Sequence, residues 1–129
     1  MKKLIFTVLI FLVLFISPYA AANENYQPSF RVKLTYYCPK AKGINGNNKY
    51  TAFMSKPSNK TVAISRSLYK KGIRPGTKLQ IEGIGIRVVE DLMGKRVKGD
   101  QIDICIDNLK AAKKLGVKKN VLIHILEKE

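Results

Sequence analysis

The sequence is poor in the residues from which metal centres and disulfide frameworks are built. Its 129 residues include one histidine and two cysteines, Cys38 and Cys105, which form no Cys-x-x-Cys motif. A zinc site of a familiar kind needs several such ligands at short spacings, so none is expected. One disulfide between the two cysteines is permitted if the chain reaches an oxidising compartment. Two small buried thiols fit the same residues equally well.

Acidic residues are also scarce, with 9 Asp and Glu against 24 Lys and Arg, and the formal net charge is +15. A surplus of this size shapes encounters with any polyanion. The charge alone does not choose among nucleic acid, the carboxylates and phosphates of a cell wall, and plain solvation. An exported protein seldom meets nucleic acid, so evidence of export would favour the cell wall over nucleic acid as the anionic partner.

The chain has no apolar run long enough to cross a membrane comfortably. The run from Leu4 to Ile16 has 13 residues, whereas a span needs about 20. Lys2 and Lys3 precede this run, and the small residues 20–22 follow it, which is the pattern of a secretory signal peptide. We therefore expect residues 1–22 to be removed and the protein to be secreted, periplasmic or associated with the cell wall. The remaining 107 residues carry a net charge of +13, a length typical of one domain.

Beyond a polar lead-in at residues 23–29, residues 30–129 are predicted to form a single domain of short strands. The fold class is mainly β, a compact six-stranded β-barrel with one or two short helices. A long loop, Lys40–Ser58, is expected to be functional because structureless loops of that length are uncommon in compact domains. The predicted strands are Phe30–Tyr37, Thr61–Ile64, Leu79–Ile81, Ile86–Val89, Ile102–Ile106 and Val121–Leu126, and the predicted helical segments are Ser65–Lys71 and Leu109–Leu115.

Two aspartates are the first candidates for chemistry. Asp103 lies between Ile102 and Ile104 in an apolar strand, and its side chain must point away from both isoleucines. Partial desolvation there raises the pKa of a carboxyl group toward the value that a general acid needs. Asp91 is predicted to close the preceding strand. The alternatives are that Asp91 only forms a turn and that Asp103 only pairs with Arg96 or a lysine.

Five short segments follow one another in a characteristic order: Thr61-Val-Ala-Ile64, Gly72-Ile-Arg-Pro-Gly-Thr77, Ile81-Glu-Gly-Ile-Gly85, Val88-Val-Glu-Asp91 and Ile102-Asp-Ile104. Taken together, they resemble the three-aspartate (3D) domain family over roughly residues 31–126. The resemblance implies a double-psi β-barrel similar to the catalytic domain of membrane-bound lytic transglycosylase A and to stationary-phase survival proteins. It extends more distantly to rare lipoprotein A and expansin-like barrels.

The resemblance implies a peptidoglycan lytic transglycosylase, which cleaves the bond between N-acetylmuramic acid and N-acetylglucosamine and leaves a 1,6-anhydro product. Asp103 matches the single acid/base and Asp91 the second aspartate of the family, and no metal or organic cofactor is implied. The family's first aspartate is replaced by Ser65, whose hydroxyl can bind a neighbour or a sugar but cannot hold a charge. The alternative is a non-catalytic glycan-binding module of the expansin type.

Other residues are candidates for substrate binding. Tyr37 and Tyr50, near the long loop, offer rings that can stack on sugar faces, although packing in the core or at an edge explains such residues equally well. Lys95 and Arg96 follow Asp91 and can attract wall carboxylates or stabilise an ionised Asp103, although a solvated basic turn is the plain alternative. The expected partners are peptidoglycan glycan strands and anionic wall polymers, not nucleic acid.

Overall fold

The computed structural model describes residues 28–39 and 50–126. The predicted signal peptide at residues 1–22, nearly all of the predicted lead-in and the first part of the long loop lie outside these residues. The strands are β1 (Ser29–Tyr37), β2 (Thr61–Ile64), β3 (Lys78–Ile81), β4 (Gly85–Leu92), β5 (Gln101–Cys105) and β6 (Lys118–Ile125), and the helices are α1 (Arg66–Lys70) and α2 (Leu109–Leu115).

The six strands close into a barrel in the order β1-β5-β2-β4-β3-β6. Strand β1 runs parallel to β5, and β2 runs parallel to β4, while the other four neighbouring pairs are antiparallel. The predicted fold class, a mainly β double-psi barrel of six strands with one or two short helices, is confirmed, and the helices are two. Within the described residues no helix is long and apolar enough to span a bilayer.

Alternation along the strands separates a filled interior from an outer surface. Each strand gives one or two β-branched residues or leucines to the interior, where they are fully or almost fully buried. In β5, for example, Ile102 and Ile104 face the core and the residue between them faces outward. The barrel interior is therefore closed by side chains, and any ligand must bind on the outside. The buried strand residues are Val32, Leu34, Val62, Ile64, Leu79, Ile81, Val89, Ile102, Ile104, Val121 and Ile123.

Strand β4 contains an irregularity that changes which of its residues face outward. Val62 on β2 is paired with Val89, but the next residue, Ala63, is paired with Asp91. Glu90 is thus an extra residue on β4, and a single extra residue reverses the faces of those that follow. Leu92 packs against the core, and Asp91 is turned to the outer surface. The sequence predicted a strand over Ile86–Val89 that Asp91 closes, but β4 continues through Asp91 to Leu92.

Ser65 has a structural task at the junction of β2 and α1. Its side chain is fully buried, and its hydroxyl oxygen accepts hydrogen bonds from the N–H groups of Leu68, at 3.5 Å, and Gln101, at 3.1 Å. The first bond is that of a helix N-cap. The second satisfies an N–H at the start of β5. Ser65 therefore joins the helix to the barrel wall.

Replacing Ser65 by alanine is expected to lower the free energy of unfolding by about 1–2 kcal/mol, because a cap is lost and a buried N–H is left without a partner. Urea denaturation measures this change. The matched control is Asn108→Ala, which removes the exposed N-cap of α2 and should cost less, at or below about 1 kcal/mol. Equal losses for the two variants would contradict the assigned role of Ser65 in joining α1 to β5.

Candidate functional site

Four strands place one row of side chains on the outer surface of the barrel. Thr35 on β1 is paired with Asp103 on β5, Asp103 is paired with Ala63 on β2, and Ala63 is paired with Asp91 on β4. The small side chain of Ala63 therefore separates the two carboxylates. The prediction that Asp103 points away from its isoleucine neighbours agrees with this placement.

Three members of this row, Asp103, Ala63 and Asp91, line a pocket that we call the acidic groove. Its volume is about 540 Å³, and its lining includes Tyr37, Tyr50, Ala63, Asp91, Met93 and Asp103. The lining is completed by Pro39, residues 50–52, Pro57, residues 92–94 and Val97. A volume of this size is within the range of pockets that hold small organic ligands.

Asp91 is held in place by three hydrogen bonds. One carboxylate oxygen, Oδ1, accepts from the backbone N–H groups of Ala52 and Leu92, both at 2.8 Å, and the other, Oδ2, accepts from the Tyr37 hydroxyl at 3.3 Å. The bond from Ala52 ties the segment at residues 50–55 to the barrel wall. Asp91 thus positions one border of the groove, and both of its carboxylate oxygens are already engaged by donors of the protein.

Asp103 has a different environment, although both carboxylates line the same groove. Burial raises the pKa of its carboxyl to about 6. The hydrogen bond from the Thr35 hydroxyl, at 2.9 Å, opposes that rise, and the negative charge of Asp91 adds to it. A carboxyl group with this pKa exists in both protonation states near neutral pH, as a group that gives and takes a proton must.

Tyr37 and the two cysteines lie at the β1–β5 edge of the site. Burial, with Cys105 and Asp91 nearby, raises the pKa of Tyr37 above its ordinary value, so its hydroxyl stays protonated and donates to Asp91. Cys38 and Cys105 are both buried free thiols, one of the two states that the sequence leaves open. Burial also raises the pKa of the Cys105 thiol to about 11, so it is not a thiolate nucleophile at neutral pH.

The remaining candidates divide between the groove and its surroundings. Tyr50 lines the acidic groove and is 49% exposed, so its ring is free to contact a ligand. Lys95 lines a neighbouring groove and Arg96 lines neither. Within residues 28–39 and 50–126, no three His, Cys, Asp or Glu side chains gather in a way that could hold a metal ion.

Ser65 lines neither groove, and its burial keeps it from any ligand in this structure. Its hydroxyl caps α1 instead, a task that serine and aspartate perform similarly well. Sequence reasoning had instead linked it to substrate binding.

Sequence reasoning missed Thr35 and Ala63. Thr35 donates to Asp103, and Ala63 supplies the narrow floor between the two carboxylates. Each belongs to a strand that was predicted correctly, but nothing in a single sequence gives the pairing partner of a residue across a barrel. Thr35 could have been identified only by knowing that β1 pairs in parallel with β5.

Comparison with family models and with curated proteins finds no match for this chain. Among solved structures, the chain is similar to an apo expansin from Clavibacter michiganensis, with a TM-score of 0.54 at 15% sequence identity. The match covers 79% of this chain and 52% of the expansin chain, so this chain spans about half the length of that protein. At this identity the likeness shows that the two share a fold.

The raised pKa of Asp103 implies that the free energy of unfolding depends on pH. Its native pKa of about 6 exceeds the unfolded value of about 4, so the native state binds more protons between these pH values and its stability falls as pH rises. Asp103→Asn removes this effect. The variant should be more stable than the wild type at pH 8, by about 1–2 kcal/mol, and the difference should vanish below about pH 4. Urea denaturation across this pH range measures it.

Asp91→Asn is the matched control for that experiment. It removes a charged acceptor from two backbone N–H groups and the Tyr37 hydroxyl, so it should destabilise the protein at pH 8 by about 1–2 kcal/mol. If Asp103→Asn destabilised the protein at pH 8 as much as Asp91→Asn does, the ionised Asp103 carboxylate would not be destabilising the native state, and the prediction would be wrong.

Proposed function

We propose that this chain is an exported cell-wall protein whose acidic groove binds the glycan strands of peptidoglycan without cleaving them. The observation that carries the proposal is the combination of an exposed tyrosine ring and the Asp103 carboxyl group along one open groove. The face of a Tyr50 ring can cover the apolar face of a sugar. The carboxyl oxygens of Asp103 can accept hydrogen bonds from sugar hydroxyl and acetamido N–H groups.

The different environments of the two aspartates support binding of a glycan over its hydrolysis by an ordinary glycosidase mechanism. Glycosidases that use water or a covalent intermediate need two carboxyl groups with separate tasks. Here Asp91 is engaged by three donors, one of which holds the segment at residues 50–55, so only Asp103 has the freedom to act on a ligand. The barrel shared with an expansin is consistent with a non-catalytic module of that type.

A second candidate function, lytic transglycosylase, is favoured by the pKa of Asp103. One carboxyl group suffices for this reaction because no water is consumed. As an acid, Asp103 would give its proton to the glycosidic oxygen as the bond to the anomeric carbon of the muramic acid breaks. As a carboxylate, it would then take the proton of the C6 hydroxyl, whose oxygen bonds to the same carbon and closes the 1,6-anhydro ring. A pKa of about 6 suits both steps.

Export and a basic surface complete the proposal. Residues 1–22 would serve as a signal peptide, and the mature chain, with residues 30–129 as its domain, would be secreted, periplasmic or held at the wall. Its net charge of +13 favours association with a wall that carries carboxylates and phosphates. Similarity to the three-aspartate family and to transglycosylase A remains part of the proposal and rests on the motifs alone.

One experiment tests both functions. The mature protein is incubated with purified peptidoglycan, pelleting measures binding, and mass spectrometry of the soluble fraction searches for 1,6-anhydromuramic ends. The glycan-binding proposal expects the wild type to pellet and to release no anhydro product. Tyr50→Ala should weaken binding by about threefold to tenfold, because a stacking surface is lost. Met54→Ala is its control, since Met54 is 74% exposed in the same segment and does not line the groove.

The outcomes separate the candidates. Anhydro product from the wild type but not from Asp103→Asn would replace the binding proposal with the transglycosylase and assign Asp103 as its acid/base. Equal weakening by Tyr50→Ala and Met54→Ala would remove the acidic groove from recognition of the glycan. Failure of the wild type to pellet at any salt concentration would contradict the binding proposal, and the additional absence of anhydro product would contradict both functions.

A further inference from the structure

A second groove shares a lining residue, Val97, with the acidic groove. We call it the basic groove, and its lining includes Arg66, Ser67, Lys70, Lys95, Val97 and Lys98. Its volume is about 490 Å³. Four of these six side chains are cationic, and none is acidic.

The four cations are brought together by two segments that are distant in sequence. Arg66 and Lys70 are one helical turn apart on α1, so their side chains share one face. Lys95 and Lys98 belong to the turn that follows β4, which is closed by a hydrogen bond from the Val97 N–H to the Gly94 carbonyl. All four residues are exposed. Repulsion among them is a cost that an anionic ligand would relieve.

Two basic residues near this groove, unlike its four cations, have partners within the protein. Lys71 forms an ion pair with Asp100 and lies over the Phe30 ring, at 5.6 Å from its centroid. Arg74 lies over the Tyr69 ring, at 4.2 Å from its centroid. In the described part of the chain, by contrast, no carboxylate forms an ion pair with any of the four cations of the basic groove.

Asp100 is the acidic residue beside this groove, and its charge is already engaged. Burial alone would raise the pKa of its carboxyl, but hydrogen bonds from Lys71 and Ser67 and the charge of Lys71 lower it below the ordinary value. The Ser67 hydroxyl donates to Asp100 at 2.6 Å. Asp100 is therefore an ionised partner of Lys71 and leaves the charges of the four groove cations uncompensated.

The two grooves meet at the turn after β4. Val97 lines both of them, and Met93, at the start of the turn, is fixed to β2 by a hydrogen bond from its N–H to the Ile64 carbonyl. When one part of a polymer lies in the acidic groove, its neighbouring units can therefore reach the basic groove.

We propose that the basic groove binds the carboxylate or phosphate groups of the same wall polymer whose glycan lies in the acidic groove. Lysines suit this task because their ammonium groups are mobile point charges that accept either anion. The identity of the polymer rests on the proposed function, whereas anion binding at these four side chains does not. The protein would thus distinguish an anionic wall glycan from a neutral one.

The test uses the double variant K95Q/K98Q of the mature protein, with K113Q/K114Q as the matched control. The control removes the same charge from exposed residues of α2 that line neither groove. Binding is measured against untreated cell wall, the same wall after chemical removal of its phosphate polymers, the same wall after amidation of its peptide carboxylates, and a neutral N-acetylglucosamine oligosaccharide.

We expect K95Q/K98Q to bind untreated wall about threefold to tenfold more weakly than the control at low salt, since each exposed ionic contact contributes modestly. The difference should shrink in high salt, and binding of the neutral oligosaccharide should be unchanged. The modified wall on which the difference disappears identifies phosphate or carboxylate as the bound group.

Equal loss by the two double variants would overturn the inference, because overall charge and not the basic groove would then be responsible. Unchanged wall binding by K95Q/K98Q would overturn it as well. If the wild type binds the wall through these lysines but does not bind the neutral oligosaccharide, the inference stands and the proposed glycan function fails.

Discussion

Between Val62 and Ala63 the pairing of β2 with β4 shifts by one residue, and Glu90 is the residue left over. Because successive strand residues face opposite sides, this one insertion decides where the rest of β4 points. Val89 remains in the core, Leu92 returns to it, and Asp91 faces outward beside Ala63. Without the insertion the barrel would point this carboxylate toward its apolar interior, and the two aspartates would lie on opposite sides of the wall.

The same geometry explains how much of the site the sequence could predict. The direction of Asp103 follows from two isoleucine neighbours, and the six strands follow from short β-branched segments between turns. The direction of Asp91 does not follow, because an extra residue in a strand has no signature in a single sequence. Ser65 was linked to substrate because the resemblance placed an aspartate there. The structure shows that the position caps a helix, a role that both residue types fill.

The charged residues of the two grooves and their surroundings differ in whether they have partners within the protein. Asp91 and Asp100 are engaged by several donors and hold segments in place. Among the described residues, Asp103 accepts from one donor, Thr35, and has a raised pKa. The exposed cations of the basic groove have no carboxylate partner within the described residues. Two adjoining grooves thus present a carboxyl group and a set of cations, an arrangement that suits a polymer with both sugar hydroxyl groups and anionic substituents.

In the proposed complex, a wall glycan lies across the row formed by Thr35, Asp103, Ala63 and Asp91. Backbone amide NMR of the mature protein, titrated with soluble glycan fragments of peptidoglycan, tests this placement directly. The largest chemical-shift changes are expected at this row and at residues 50–52 and 93–97. Shifts confined to α2 and β6, or no saturable shifts at all, would contradict it.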